Sequence, residues 1–296
     1  MTKWTAAQLQ GLAGRTVIVT GATGGIGLIT ARELAKAGAH VVLAVRNVAK
    51  GEAAAQAFGQ TPGGVEVREL DVSSLASVHA FADAWSAPID VLINNAGIMQ
   101  VPLARTADGF ESQMATNYFG PFALTNLLLP LIRDRVIVVS SQLHRLGHPH
   151  LDDLNGLARK YSDMNAYTDS KLDITLFSLE LQRRLAATGS AVRSIVAHPG
   201  IATTNLTAHR GPGINRFGAL LNDPEHGALP LLFAATEDIP GNSYVGPNGL
   251  GSIKGYPVVR APSKAARDAD VAARLWTATA ELTGVDFPNL ARKLTD

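Results

Sequence analysis

Three features of the 296-residue sequence predict an α/β fold with one doubly wound parallel sheet flanked by helices. Apolar, β-branched runs recur along the chain, helical patterns separate them, and a glycine turn joins the first run to the first helix. Short runs rich in Val, Ile and Leu suit strands buried on both faces, the condition of a parallel sheet covered by helices on each side. Regular alternation of strand and helix supplies the crossover connections that such a sheet needs.

The strand-like runs lie at residues 16–19, 40–45, 65–70, 91–93, 136–139 and 192–197. Helical patterns fall at 28–37, 48–58, 75–86, 110–132 and 166–187. No repeat, low-complexity tract or polar linker interrupts them before about residue 200, so a single domain over residues 1–296 is expected. From Pro199 the character changes. Residues 200–224 carry Gly211-Pro-Gly213, scattered polar side chains and one short helical stretch at 217–221. A loop of that length in a compact fold predicts a functional lid, placed at about 201–225. A C-terminal extension at about 240–296 should follow a helix over 225–235. It comprises a Gly- and Pro-rich strand with turns over 244–257 and a last helix over 263–283 with Ser263 as its N-cap.

Composition excludes several classes of function. The chain is 46% hydrophobic and 17% charged, enough apolar material for a large core. A net charge of +1 gives no electrostatic reason to expect nucleic acid or an anionic membrane as partner. With no cysteine, disulfides, thiolate catalysis and Cys-ligated metals are excluded. The first ten residues are too polar for a signal peptide. The most apolar stretch, 119–132, is broken by Asn126 and two prolines, and no run reaches the ~18 residues of a membrane span. A cytoplasmic protein without a membrane span is expected, which leaves the glycosylation match Asn205-Leu-Thr207 idle.

The glycine turn is the first candidate site. Gly21, Gly24, Gly25 and Gly27 follow the first strand at once. Glycines let the backbone bend tightly and approach a ligand closely. The helix beyond offers free N–H groups and a positive dipole end, suited to a pyrophosphate. Strand, glycine turn and helix in that order imply a dinucleotide site.

In a doubly wound sheet, ligands lie beyond the carboxyl ends of the strands. After the second strand, about twenty residues past Gly27, an NAD site would place an acid for the ribose 2′-hydroxyl. Here stand Arg46 and Asn47, and a guanidinium pairs bidentately with a 2′-phosphate, which predicts NADP(H) over NAD(H). After the third strand comes Asp71-Val72, an adenine-edge partner or merely a start for the next helix. After the fourth comes Asn94-Asn-Ala-Gly97, after the fifth Ser140-Ser141, and after the sixth His198-Pro-Gly200 with Thr203-Thr204 beyond.

Tyr167-Thr-Asp-Ser-Lys171 carries the chemistry. On a helix, residues four apart share a face. A phenol with an ordinary pKa near 10 is less than about one part in a thousand ionised at neutral pH. A nearby ammonium stabilises the phenolate, and a lowering by ~2 units takes roughly 2.7 kcal/mol. The pair could therefore pass a proton to and from a carbonyl or alcohol oxygen.

Taken together, Thr20-Gly-Ala-Thr-Gly-Gly-Ile-Gly27, Asp71-Val72, Asn94-Asn-Ala-Gly97, Asn117, Ser140-Ser141, Tyr167-x-x-x-Lys171 and Pro199-Gly200 resemble the short-chain dehydrogenase/reductase superfamily, over residues 14–206. The resemblance implies one Rossmann-type domain with about seven parallel strands and hydride transfer between NAD(P)(H) and an alcohol/carbonyl pair. By position Tyr167 matches the general acid/base, Ser141 the hydroxyl that orients the substrate oxygen, and Lys171 both the pKa-lowering cation and a cofactor-ribose ligand. Asn117 matches the residue that holds a relay water. The implied cofactor-binding set is Gly21, Thr23, Gly24, Gly25, Ile26, Gly27, Arg46, Asn47, Asp71, Val72, Asn94, Ala96, Gly97, Tyr167, Lys171, Pro199, Gly200, Ile201 and Thr203. Thr203 or Thr204 would meet the nicotinamide carboxamide, and a homodimer or homotetramer is common in the family.

The spacing from Ser141 to Tyr167 is about twice the family's usual one, so residues 143–163 form an insert, and Ser140 stands as the alternative serine. That spacing, Ala44-Val-Arg46-Asn47 and His198-Pro-Gly are similar to the retinol-dehydrogenase-like branch, whose substrates are often bulky and apolar. The rival functions are an NADP(H)-binding protein without turnover and an acyl-carrier ketoreductase. Within the insert His144, His148 and His150 lie near Asp152 and Asp153, a metal-like spacing set against a solvated loop; no metal is expected.

Overall fold

The structure, a computed structural model, describes residues 3–200 and 223–290. Starting from β1 (Thr16–Thr20), the chain steps outward through β2 (His40–Val45) to β3 (Val65–Glu69). It then crosses to the other side of β1 with β4 (Ile89–Asn94) and continues through β5 (Ile132–Val139), β6 (Arg193–Ala197) and β7 (Tyr244–Pro247). All neighbours among these strands are parallel. An additional strand, β8 (Pro257–Arg260), lies antiparallel on β7, with Tyr244 opposite Arg260 and Pro247 opposite Pro257. The sheet therefore has eight strands where the sequence predicts about seven. The connection between β7 and β8 is too short for a crossover, which leaves a hairpin return as the available pairing.

The helices are α1 (Gly25–Lys36), α2 (Val48–Ala57), α3 (Leu75–Asp83), α4 (Ser112–Met114), α5 (Gly120–Leu128), α6 (Asp163–Ala187), α7 (Pro224–Thr236) and α8 (Ala269–Thr283). Successive strand residues point to opposite faces of the sheet. Val17 and Val19 thus join Ile29 and Leu34 of α1 and Leu231 and Leu232 of α7 in one core. Ile18 joins Phe122 of α5, Phe177 of α6 and Trp276 of α8 in the other. Both faces are covered, which explains why the strands read as continuous apolar runs.

Three element boundaries differ from the sequence expectation. The helical pattern at 110–132 is a succession of α4, a π turn (Ala115–Phe119), α5 and a 3-10 turn (Leu129–Leu131), and Ile132 already begins β5. Pro130 has no N–H to continue the helix. Helix α6 begins at Asp163, where Ser162 accepts from the Asn165 N–H at 3.3 Å. Helix α8 is capped by Asp268, which accepts from the Val271 N–H at 3.0 Å. Ser263 serves the preceding 3-10 turn, accepting from the Ala266 N–H at 3.2 Å.

The register aligns Thr20 with Ala44, Asn94 with Val138 and Val139 with Ala197, so the carboxyl ends of the central strands share one edge. The sheet order reverses between β1 and β4, which opens a crevice at that edge. No helix among the described residues is long and apolar enough to cross a membrane. The expected short helix at 217–221, most of the expected lid, and Ile201, Thr203 and Thr204 lie outside the described residues.

Candidate active site

At the reversal point the loop after β1 meets the loop after β4. Gly21 sits at φ +68°, and a Cβ there would lie 2.8 Å from the Ala96 Cα. A Cβ on Gly27 would lie 2.3 Å from Asn95 Nδ2 and 2.9 Å from the Gly21 carbonyl oxygen. A side chain at either position would collide with the opposite loop. Thr20 and Asn95 tie the two loops together. The Thr20 hydroxyl accepts from the N–H groups of Asn95 at 3.0 Å and Ala96 at 2.9 Å, and Asn95 Nδ2 donates to the Thr20 carbonyl at 2.8 Å. This clamp was not singled out from the sequence, although both residues lie inside the motifs quoted above. Gly24 is extended and caps α1, leaving that helix start open to the crevice with Thr23 exposed and Ile26 buried.

Arg46, at the end of β2, is 78% exposed, and its nearest acidic partner is Asp71 at 4.0 Å. Asp71 accepts from the Ser73 N–H at 2.9 Å and its hydroxyl at 2.6 Å. Asn47 caps α2, accepting from the Lys50 N–H at 2.9 Å. The Asn94 side chain is turned under the sheet, donating to the Thr125 hydroxyl at 2.9 Å. Val72 is buried, and its carbonyl oxygen packs where a Cβ on Gly120 would stand.

The two serines after β5 separate cleanly. Ser140 is buried and donates to the Lys171 carbonyl at 2.9 Å, with the Thr175 hydroxyl at 2.8 Å, so it belongs to the packing of α6. The Ser141 hydroxyl hydrogen-bonds the Tyr167 phenol and accepts from the Leu143 N–H at 3.2 Å. Lys171 stands one turn beyond Tyr167, with its Nζ 5.8 Å from the phenol ring centroid and donating to the Val139 carbonyl at 2.9 Å. Asn117 lies in the π turn, a helix irregularity common at functional sites. Its amide accepts from the Ile98 N–H at 2.8 Å and donates to the Ile98 carbonyl at 2.9 Å and the Ser170 hydroxyl at 3.0 Å. A Cβ on Gly97 would stand 3.2 Å from Asn117 Oδ1 and 3.5 Å from Lys171 Nζ, so these three residues form one wall.

Burial pushes the Tyr167 phenol up from its ordinary value, and the Ser141 hydrogen bond pulls it partly back. Burial also pulls the Lys171 ammonium down to about 8. The sequence argument expected the ammonium to lower the phenol. In the structure desolvation dominates the phenol, and the ammonium is directed at a backbone carbonyl. At neutral pH Tyr167 is a phenol and Lys171 is still a cation.

The insert folds back onto α6. The His148 N–H donates to Asp169 at 2.9 Å, and His150 and Arg159 flank the same carboxylate at 3.4 and 3.7 Å. Asp153 accepts from the Leu157 N–H at 2.7 Å. His144 turns into the interior, away from these. Among the described residues no group of three or more His, Asp or Glu side chains could hold a metal ion. His198 is buried against Tyr244 with ring centroids 5.2 Å apart, and burial lowers it to about 3. Its Nδ1 accepts from the Gly200 N–H at 3.2 Å, fixing the turn at Pro199-Gly200.

Comparison with known proteins bears on the family and the fold. The family profile described as short chain dehydrogenase matches residues 15–215. Human retinol dehydrogenase 13 is 40% identical over 94% of this chain and 87% of its own length. The crystal structure of an uncharacterized protein from Mycobacterium paratuberculosis superposes with a TM-score of 0.86 at 50% identity, over 97% of this chain and 100% of that one. A protein from Beutenbergia cavernae, described as a NAD(P)-dependent gluconate 5-dehydrogenase and solved with NADP at low occupancy, superposes with a TM-score of 0.58 at 25% identity, over 75% of this chain and 90% of that one. The chain belongs to the short-chain dehydrogenase family of oxidoreductases, in its retinol-dehydrogenase-like branch.

Proposed function

We propose that this protein is an NADP(H)-dependent oxidoreductase that interconverts an apolar alcohol and its ketone or aldehyde, with Tyr167 as general acid/base. The observation that carries the proposal is the meeting of Ser141, Tyr167, Lys171 and Asn117 beside the glycine crevice between β1 and β4. The crevice suits a dinucleotide because the start of α1, capped only by Gly24, opens onto it, and because Gly21 and Gly27 let the loop after β1 pack closely on Ala96 and Asn95. The residues that would hold the cofactor are the glycine loop from Gly21 to Gly27, Arg46 toward a 2′-phosphate, Asp71 and Val72, Ala96 and Gly97, Tyr167 and Lys171, and Pro199-Gly200. Asn47 and Asn94 contribute through the backbone around them, since their side chains are engaged elsewhere.

A nicotinamide dinucleotide bound there supplies or accepts the hydride. Tyr167 gives its phenol proton to the carbonyl oxygen during reduction and takes it back during oxidation. The Ser141 hydroxyl donates toward the same region and fixes where that oxygen sits. Giving the proton leaves a phenolate, and taking it back starts from one, so Lys171 and Ser141 are the groups at hand to stabilise the phenolate in either direction. Asn117, locked on both sides by Ile98, keeps the wall beside Lys171 rigid. The expected lid at about 201–225 lies almost wholly outside the described residues; in this reading the chain is one domain whose extension, about 240–296, begins with β7.

The test is turnover. Tyr167→Phe is expected to lose at least 100-fold in kcat while NADPH binding stays within a few-fold. An active Tyr167→Phe enzyme would sink the assignment. A panel of carbonyl compounds with NADPH separates the enzyme from a nucleotide binder, which has no use for the Ser141–Tyr167 pair, and includes an acyl-carrier β-ketoester for the ketoreductase alternative.

A further inference from the structure

The insert after Ser141 sends two side chains into the interior, the apolar Leu154 and the polar His144. His144 is fully buried at 0% exposure. It sits in the 3-10 turn Gln142–Leu146 that Ser141 caps. The Ser141 carbonyl faces both the His144 backbone N–H at 3.0 Å and the ring Nδ1 at 2.7 Å. The other ring nitrogen, Nε2, takes the backbone N–H of Ser263 at 3.0 Å. An N–H can only donate, so Nε2 is an acceptor and the ring proton must sit on Nδ1. Both lone pairs of the Ser141 carbonyl are then occupied, and the peptide plane carrying Ser141 is tied to the C-terminal extension. Tyr244 of β7 packs on the ring at 5.3 Å, with its hydroxyl 3.3 Å from Nδ1.

We propose that His144 is a positioning residue for the reaction: its neutral, Nδ1-protonated imidazole fixes the Ser141 backbone and so aims the Ser141 hydroxyl at Tyr167. This rests on the functional reading given above. Ser141 lies two residues past the end of β5 and precedes the long insert, so its χ1 direction depends on the peptide plane that His144 holds. The groups around the ring are Ser141 and Arg145 beside it in the chain, Tyr244 of β7, Ser263 beyond β8 and, stacked on the same Tyr244, His198 after β6. Burial opposes protonation of the ring, the hydrogen bond to the Ser141 carbonyl favours it, and Arg145 adds a weaker opposition.

Two measurements on the full-length protein decide the matter. In the first, 15N-labelled enzyme is observed by long-range proton–nitrogen correlation from pH 6 to 8. The expected result is a neutral Nδ1–H tautomer for His144 with no titration. An Nε2–H tautomer, or protonation near pH 6.5, overturns the proposal. In the second, His144→Asn keeps a donor for the Ser141 carbonyl, whereas His144→Gln reaches farther and keeps an acceptor for Ser263. A displacement near 1 Å costs about 100-fold in rate, so His144→Gln is expected to lose between about 10- and 100-fold in kcat, with the KM for NADPH unchanged. His144→Asn is expected to stay within about five-fold of wild type on the same argument. Equal losses in both variants that track their Tm values make His144 merely structural and overturn the proposal. Ser141→Ala distinguishes the two possible failures. Full turnover in Ser141→Ala removes the functional reading and this role with it. Loss in Ser141→Ala beside wild-type kcat in His144→Gln overturns the role of His144 alone.

Discussion

Lys171→Met is expected to separate the function of the site from the stability of the fold. Lys171 is 5% exposed, and burial alone pulls its ammonium from 10.5 to about 8. At 1.36 kcal/mol per unit, the folded state carries a penalty of about 3 kcal/mol for holding that charge at pH 7. The sign follows from proton linkage. Below pH 8 the lysine is charged in both states and the penalty is full. Between about 8 and 10.5 the folded protein releases the proton first, so stability rises with pH, and above 10.5 the penalty is gone. At pH 9.5 about 1.4 kcal/mol of it remains. Methionine has a similar length and no charge, but it removes the donor to the Val139 carbonyl, which costs about 1–2 kcal/mol. The variant is therefore expected to be about 1–2 kcal/mol more stable than wild type at pH 7 and about equal at pH 9.5. Its turnover is expected to fall at least 100-fold, because the phenolate of Tyr167 loses its cation. Urea unfolding of both proteins at pH 7 and 9.5 measures the gap directly. The hydrogen-bond loss cancels to first order between the two pH values, leaving about 2 kcal/mol of closure. A gap that stays constant with pH, or a variant that is less stable at pH 7, would refute the electrostatic argument.

Two further expectations concern the crevice. Arg46→Asp removes a 78% exposed guanidinium and adds a like charge where a 2′-phosphate would sit. Its Kd for NADPH, measured by fluorescence titration, is expected to rise about 10- to 100-fold with little change for NADH, and equal weakening of both would count against the phosphate contact. Gly27→Ala places a methyl 2.3 Å from Asn95 Nδ2, which is itself held on the Thr20 carbonyl. It is expected to cost about 1–3 kcal/mol by thermal unfolding and to weaken both cofactors alike; an unchanged Tm would show that the clamp yields without cost.

The sheet and the site were legible to different depths. Strands β1, β2, β4, β5 and β6 could be read because a strand buried on both faces writes itself as consecutive apolar residues, whereas β3, Val-Glu-Val-Arg-Glu, is only half buried and shows as an alternation. Strand β8 could not, since Pro257 to Arg260 is short and half exposed and exists only as the return of a hairpin on β7. The break in the 110–132 helix at Pro130 is a local rule that the apolar pattern obscured.

What the sequence by itself determined is the order of strand, glycine turn and helix, the pairing of Tyr167 with Lys171 on one helical face, and the family. Each of these depends on the order and spacing of residues along the chain, which no packing is needed to read. Only the tertiary structure decided which of two neighbours faces the site. Ser140 goes to α6 and Ser141 to Tyr167, while Asn94 goes to Thr125 and Asn95 to the glycine loop. At the end of a strand adjacent side chains point to opposite sides, and the side that is functional is set by what packs there. The same holds for His144, which stands between Leu143 and Arg145 in the sequence and lies at 0% exposure because Ser141, Tyr244 and Ser263 converge on it from three separate parts of the chain.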